Sequence, residues 1–196
     1  MNSTAKDPLV SPRAALLFQG GIGVVGLGFI LLFAVPVQNE GVGPGAAIIW
    51  GLVGSVATYL VIMLLSRIPG FSSDSWEAQL EKLHRFACDY SWPVLIALSI
   101  LAGVGEELLF RGALQGWLVW HLNDGVAILV AAVLFGLVHY LSFTYFLIAT
   151  GLGLVLGIVY WMTDSLLLVM VWHGVYDVIA LYSLRRFPHL FGVQKT

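Results

Sequence analysis

The chain has one cysteine, Cys88, in 196 residues. It can form no internal disulfide, and a Cys-based zinc site is excluded. Charge is also scarce: Asp, Glu, Lys and Arg make up 10% of the residues, against about 25% in a soluble domain. So few charges cannot cover a water-facing surface. With 9 basic against 11 acidic side chains the formal net charge is −2, which excludes a nucleic-acid binder held by clustered Lys and Arg. Alternating apolar and polar residues, the mark of spanning strands, are missing as well, so membrane-crossing elements must be helices. What is abundant is apolar: 59% of residues, with 22 glycines besides. That excludes disorder and places the chain in a bilayer.

Six apolar stretches can be marked, over residues 14–35, 46–65, 93–120, 126–140, 143–162 and 165–184. Each is long enough, or nearly so, to cross about 30 Å of hydrocarbon. Pro36 with the Gly41–Gly45 run, the segment around Pro69-Gly70, and Asn123-Asp124-Gly125 punctuate them. The first stretch exceeds the about 7–15 apolar residues of a signal peptide, and no small-residue cleavage site stands out. The fold expected is all-α: one integral-membrane domain over residues 1–196, with about six transmembrane helices and one cytoplasmic interfacial helix. That interfacial helix is read from Trp76, Leu80, Leu83, Ala87 and Tyr90, which recur at helical spacing opposite Glu77, Glu81, Lys82, Arg85 and Asp89, with Glu81–Arg85 spaced to pair.

Basic residues orient the bundle. Lys6, Arg13, Arg67, Lys82, Arg85, Arg185, Arg186 and Lys195 all fall on one side of six crossings, while the other side's loops offer Glu40, Asp124 and Asp164. The positive-inside rule puts both termini in the cytoplasm, with the plasma membrane the expected location. Trp50, Trp117, Trp120, Tyr160 and Trp161 would form the outer aromatic belt, and Tyr90, Trp92, Tyr140, Tyr145 and Tyr182 the inner one. Gly21-Ile22-Gly23-Val24-Val25-Gly26 spells a dinucleotide fingerprint, but no strand precedes it and no acidic residue follows at the right distance. No nucleotide is therefore expected. These glycines and Gly151, Gly153 and Gly157 read as close helix packing.

The ninth basic residue, Arg111, lies inside a span, as do Glu106, Glu107, His139, His173 and Asp177. Each Asp, Lys or Arg at a helix centre costs about 2.5–3.5 kcal/mol to insert, so intramembrane ionisable groups mark function unless shown otherwise. Glu107 and Arg111 are spaced i,i+4 and can pair. Glu106 is turned about 100° away from Glu107 and can point into a different space. His173 and Asp177 share a face, as do Phe135 and His139. Glu106, His139, His173 and Asp177, from three helices, can therefore surround one cavity. His84, His121 and His189 receive no role.

Glu106-Glu107-x-x-x-Arg111, Phe135-x-x-x-His139 and His173-x-x-x-Asp177, in that order and each on a span, resemble the motifs of the CAAX-protease and bacteriocin-processing (CPBP) family of intramembrane proteases, which includes the type II CAAX prenyl endopeptidases. The likeness covers about residues 93–184, the expected catalytic core. It departs at Asp177, where many members carry Asn. The resemblance implies an intramembrane endopeptidase acting on a membrane-associated peptide or protein, with Glu106, Glu107, Arg111, His139, His173 and Asp177 as its site. Glu106 would be the general base for water; Glu107 paired with Arg111 would hold the helix in register; and His139 would position the water. His173 and Asp177 would face the scissile carbonyl, and the resemblance suggests that they supply the oxyanion contact. An ionised Asp cannot donate, so here Asp177 would orient His173 or be protonated.

A glutamate mechanism without cofactor is preferred. The same residues permit a metal alternative, with Glu106, His139, His173 and Asp177 around a zinc-like ion, although no H-E-x-x-H helix is present. A proton-relaying transporter and a non-catalytic peptide-binding immunity protein are the other classes left open.

Overall fold

In the computed structural model, residues 10–66, 74–191 and 193 are described. Among them every regular element is helical: α1 Pro12–Phe33, α2 Pro44–Leu65, α3 Asp74–Asp89, α4 Trp92–Leu118, α5 Asp124–Val138, α6 Phe143–Thr163 and α7 Leu166–Arg186, then a 3₁₀ turn Pro188–Phe191. Local chemistry sets the starts. Prolines open α1, α2 and α4. The side chains of Ser11, Asn123, Ser142 and Ser165 accept the first free amides of α1, α5, α6 and α7.

Five of these helices are long and apolar enough to cross a membrane, at 22, 22, 27, 21 and 21 residues. They coincide with five of the six stretches marked in the sequence. The sixth, α5, has 15 residues, about 22 Å at 1.5 Å per residue, which falls short of a full crossing. Its last turn is capped by His139, so it ends where the polar residues begin. The protein is thus an integral-membrane helix bundle. α1 shows the solvent for which it is built, since only Gly26 and Ile30 are buried while Leu17, Phe18, Val24, Leu31 and Leu32 face outward.

Two ends of the bundle are tied by contacts between loops. At one end Tyr90 donates its hydroxyl to the Val10 carbonyl at 2.7 Å, and Arg185 reaches the Tyr90 carbonyl at 2.8 Å while lying over the Trp92 ring. At the other, the Gly41 amide meets the Asp164 carbonyl, the Leu166 amide the Gln38 carbonyl, and Trp161 the Asp124 carboxylate. Arg13, Lys82, Arg85, Arg185 and Arg186 therefore share one end, opposite Glu40, Asp124 and Asp164. Lys6, Arg67, Lys195 and Pro69-Gly70 lie outside the described residues, as do the side chains of Trp76 and Glu77.

α3 lies across the basic end. Leu80, Ala87 and Tyr90 are buried and Glu81, Lys82, Arg85 and Asp89 exposed, as the amphipathic pattern requires. Among the described residues the ion pairs do not include one between Glu81 and Arg85. Tyr160, placed in the outer belt by its position, is instead buried at 5% exposure, where its hydroxyl accepts the Gln38 amide.

Small residues bring the site helices together. A side chain at Gly103 would collide with the Gly174 backbone nitrogen at 2.6 Å, so α4 and α7 touch backbone to backbone one turn from Glu106 and beside His173. α1 meets α4 in the same way, Gly23 against Gly105 and Gly26 against the Leu109 backbone. Gly21 and Gly151 have open space around them, so only part of the glycine set serves packing.

Candidate active site

α4 changes winding where its charges lie. Leu108–Gln115 is a π-helix, a wider coil that recurs at functional sites. It follows Glu106 and Glu107 directly and carries Arg111 and Gln115 inward. Arg111 donates Nη1 to Glu107 Oε1 at 2.7 Å and Nη2 to the Gly153 carbonyl at 2.8 Å; Gln115 donates to the Gly157 carbonyl at 3.1 Å. Two donors spaced by four thus meet two carbonyls spaced by four on α6. A side chain at Gly157 would meet the Gln115 amide oxygen at 2.9 Å, so its absence lets α4 and α6 approach closely enough, while Gly153 makes room for Ala132 and Phe135 of α5.

The Glu107–Arg111 pair expected from spacing is formed and sealed, with side-chain exposures of 0% and 1%. The arginine also lies over the Phe135 ring, 4.7 Å from its centroid, where the ring face attracts a cation. Phe135 is a hub that spacing alone did not assign. It packs edge-on to Phe110, and the His139 and His173 rings lie 4.5 and 5.7 Å from it.

Glu106 points away from Glu107, as the 100° turn requires. Its Oε1 accepts the Gln19 amide of α1 at 2.6 Å, and its Oε2 faces His139 Nε2 at 3.4 Å and His173 Nε2 at 3.9 Å. His139 donates Nδ1–H to the Phe135 carbonyl at 2.8 Å, which leaves Nε2 as its lone-pair nitrogen when neutral. His173 donates Nδ1–H to Glu107 Oε1 at 2.7 Å. Asp177 Oδ2 is 3.7 Å from His173 Nε2, beyond hydrogen-bond reach. The carboxylate bonded to His173 is therefore Glu107, where the sequence reading had Asp177 either orient His173 or be protonated. Glu107 was legible only as the arginine's partner, because its contact with His173 crosses from α4 to α7.

Glu106, His139, His173 and Asp177 all line one chamber of about 360 Å³, within the range of ligand sites. Its remaining wall is largely apolar, with Tyr59, Ile62, Leu80, Leu83 and Tyr176 among the residues that form it. Ser99 also lines it, buried, with no hydrogen-bond partner for its hydroxyl. Among the described residues no three His, Cys, Asp or Glu side chains form a set able to hold a metal ion. The four metal-ligand candidates share the chamber without meeting that geometry.

Sequence reasoning missed Gln19, although it is the one polar side chain in the stretch 14–35, and a lone amide in a membrane span is itself a signal.

Residues 89–179 match the family model of the type II CAAX prenyl endopeptidases, Rce1-like. The uncharacterized protein YpbD of Bacillus subtilis (strain 168) is 31% identical over 103 residues, 51% of this chain and 50% of that protein. The match thus spans about half the length of each. No solved structure matches. Glu106, His139, His173 and Asp177 all fall within the matched residues, and this segment, 89–179, is similar to the Rce1-like type II CAAX prenyl endopeptidases.

Proposed function

We propose that the protein is an intramembrane endopeptidase that hydrolyses a peptide bond of a membrane-associated substrate with water activated by Glu106, without a metal. The observation that carries this reading is the facing of two acceptors, Glu106 Oε2 and His139 Nε2, 3.4 Å apart on the chamber wall. With His139 neutral each presents a lone pair, so together they favour a guest that brings protons, and water brings two. As the water oxygen attacks the scissile carbonyl carbon, Glu106 Oε2 takes one of its protons. The carboxylic acid then returns it to the leaving amine as the C–N bond breaks. His173, held through Nδ1 by Glu107, presents Nε2 beside Asp177. Protonated there between carboxylates, it donates to the oxyanion. Glu107 supplies the counter-charge through Nδ1, while Asp177 flanks Nε2 at 3.7 Å, where a neutral amide of the same reach can stand in for it.

The test uses purified protein in proteoliposomes offered two peptide sets, farnesylated CAAX peptides and unprenylated transmembrane peptides, with fragments identified by mass spectrometry. Cleavage in at least one set should survive dialysis against chelator, and Asp177→Asn should retain substantial activity because the amide keeps the same reach. In a metal-dependent hydrolase, with Glu106, His139, His173 and Asp177 as ligands, Asp177→Asn should lose metal and activity together. No cleavage of either set by folded protein would favour a peptide-binding role.

The same proposal sets the basic end of the bundle in the cytoplasm and the protein in the plasma membrane. In a Cys88→Ser background, Glu40→Cys and Asp124→Cys should react with an impermeant external reagent in intact cells, and Lys82→Cys should not. The reverse pattern would invert the topology.

A further inference from the structure

We propose that Gln19 is a positioning residue for the general base, its amide selecting which oxygen of Glu106 receives the proton. The proposal rests on the assignment of Glu106 as that base. α1 lies outside the matched segment 89–179, yet it delivers one polar side chain to the chamber. The delivery is built into the backbone: Gly23 against Gly105 and Gly26 against Leu109 set α1 directly on α4, and Gln19 then lies one turn from the Gly23 contact.

A carboxylate has two equivalent oxygens, and only one can be useful to a proton transfer with fixed geometry. The Gln19 amide occupies Oε1 at 2.6 Å. A proton placed on Oε1 would face an N–H donor, so protonation there is opposed. Oε2 has no hydrogen-bond partner and faces both His139 and His173. The amide can keep its bond to Oε1 whether Glu106 is charged or protonated, since a carboxylic acid's carbonyl oxygen also accepts. Gln19 thus holds the side chain in one orientation through both halves of the reaction, while the proton comes and goes at Oε2. A merely structural tie between α1 and α4 would be redundant here, because the glycine contacts already hold the two helices at backbone distance.

The test is Gln19→Met, which keeps length and removes the donor, with Gln19→Asn, which keeps the amide but shortens its reach. Both are assayed in proteoliposomes on whichever farnesylated CAAX or transmembrane peptide the wild type cleaves, beside Glu106→Gln. Gln19→Met should lower kcat roughly 10- to 100-fold, the size of one hydrogen bond to a charged group, with KM and the detergent unfolding midpoint unchanged. Unaltered kcat, or a fall in kcat only in step with the unfolding midpoint, would overturn the proposal. If Gln19→Met does not fold, Gln19→Asn is judged by the same two readouts. Activity retained in Glu106→Gln would overturn the base assignment and this proposal with it. An inactive Glu106→Gln beside a fully active Gln19→Met would overturn this proposal alone.

Discussion

Glu106→Gln is expected to reduce peptide cleavage by about 10²–10⁴-fold or more, the usual contribution of a positioned acid–base group, while leaving a folded, membrane-inserted protein. The substitution is nearly isosteric. Its amide can still meet Gln19 through the retained oxygen, whose hydrogen bond in the wild type is 2.6 Å, so packing should not change. What is lost is the lone pair facing His139, and with it the means of taking a proton from water. Turnover in proteoliposomes, with the unfolding midpoint as control, checks this. Near-wild-type turnover would remove Glu106 from the chemistry and transfer the search for a base to Asp177 or His139.

Arg111→Ala should produce the largest loss of stability of any single change in the bundle, roughly 3–5 kcal/mol, as when one member of a buried ion pair is removed. Glu107 is fully buried and its Oε2 has no partner, so without the guanidinium its charge is left to His173 alone. The Gly153 carbonyl contact and the stacking on Phe135 would be lost in the same step. A further comparison separates the pair's structural worth from its role at His173. Replacing both residues by Leu should recover much of the lost stability, because an apolar pair avoids the desolvation of two charges. It should not recover activity, because His173 Nδ1 would no longer have the oxygen that orients it. Equal thermal unfolding of Arg111→Ala and wild type in detergent would show that the pair contributes nothing to the fold.

The parts of this protein visible in one dimension are those governed by local rules. Helix lengths, their caps and prolines, and the amphipathic face of α3 follow from neighbouring residues, and the spans marked from hydropathy match the long helices closely. The Glu107–Arg111 pair and the shared faces of His139 and His173 with their i,i+4 partners belong to the same category, since helical periodicity fixes such geometry before any tertiary contact exists. α5 is marked in the sequence as a short stretch, 126–140, and the helix ends at His139 close to that bound; hydropathy does not register that this end lies beside the chamber.

What periodicity could not supply were contacts between helices far apart in the chain. That Glu107 rather than Asp177 orients His173, that Phe135 carries the ring stack beneath both histidines, and that Gln19 reaches Glu106 all depend on how closely α1, α6 and α7 approach α4. Those approaches are set by Gly23, Gly103, Gly157 and Gly174 and by the π-helical segment after Glu107. A glycine in a membrane span reads the same whether it faces lipid, as Gly21 and Gly151 show with open space around them, or a neighbouring backbone. Without a Cβ it carries no preference of its own; the shape of the surface packed against it settles which, and that surface exists only once the helices are assembled.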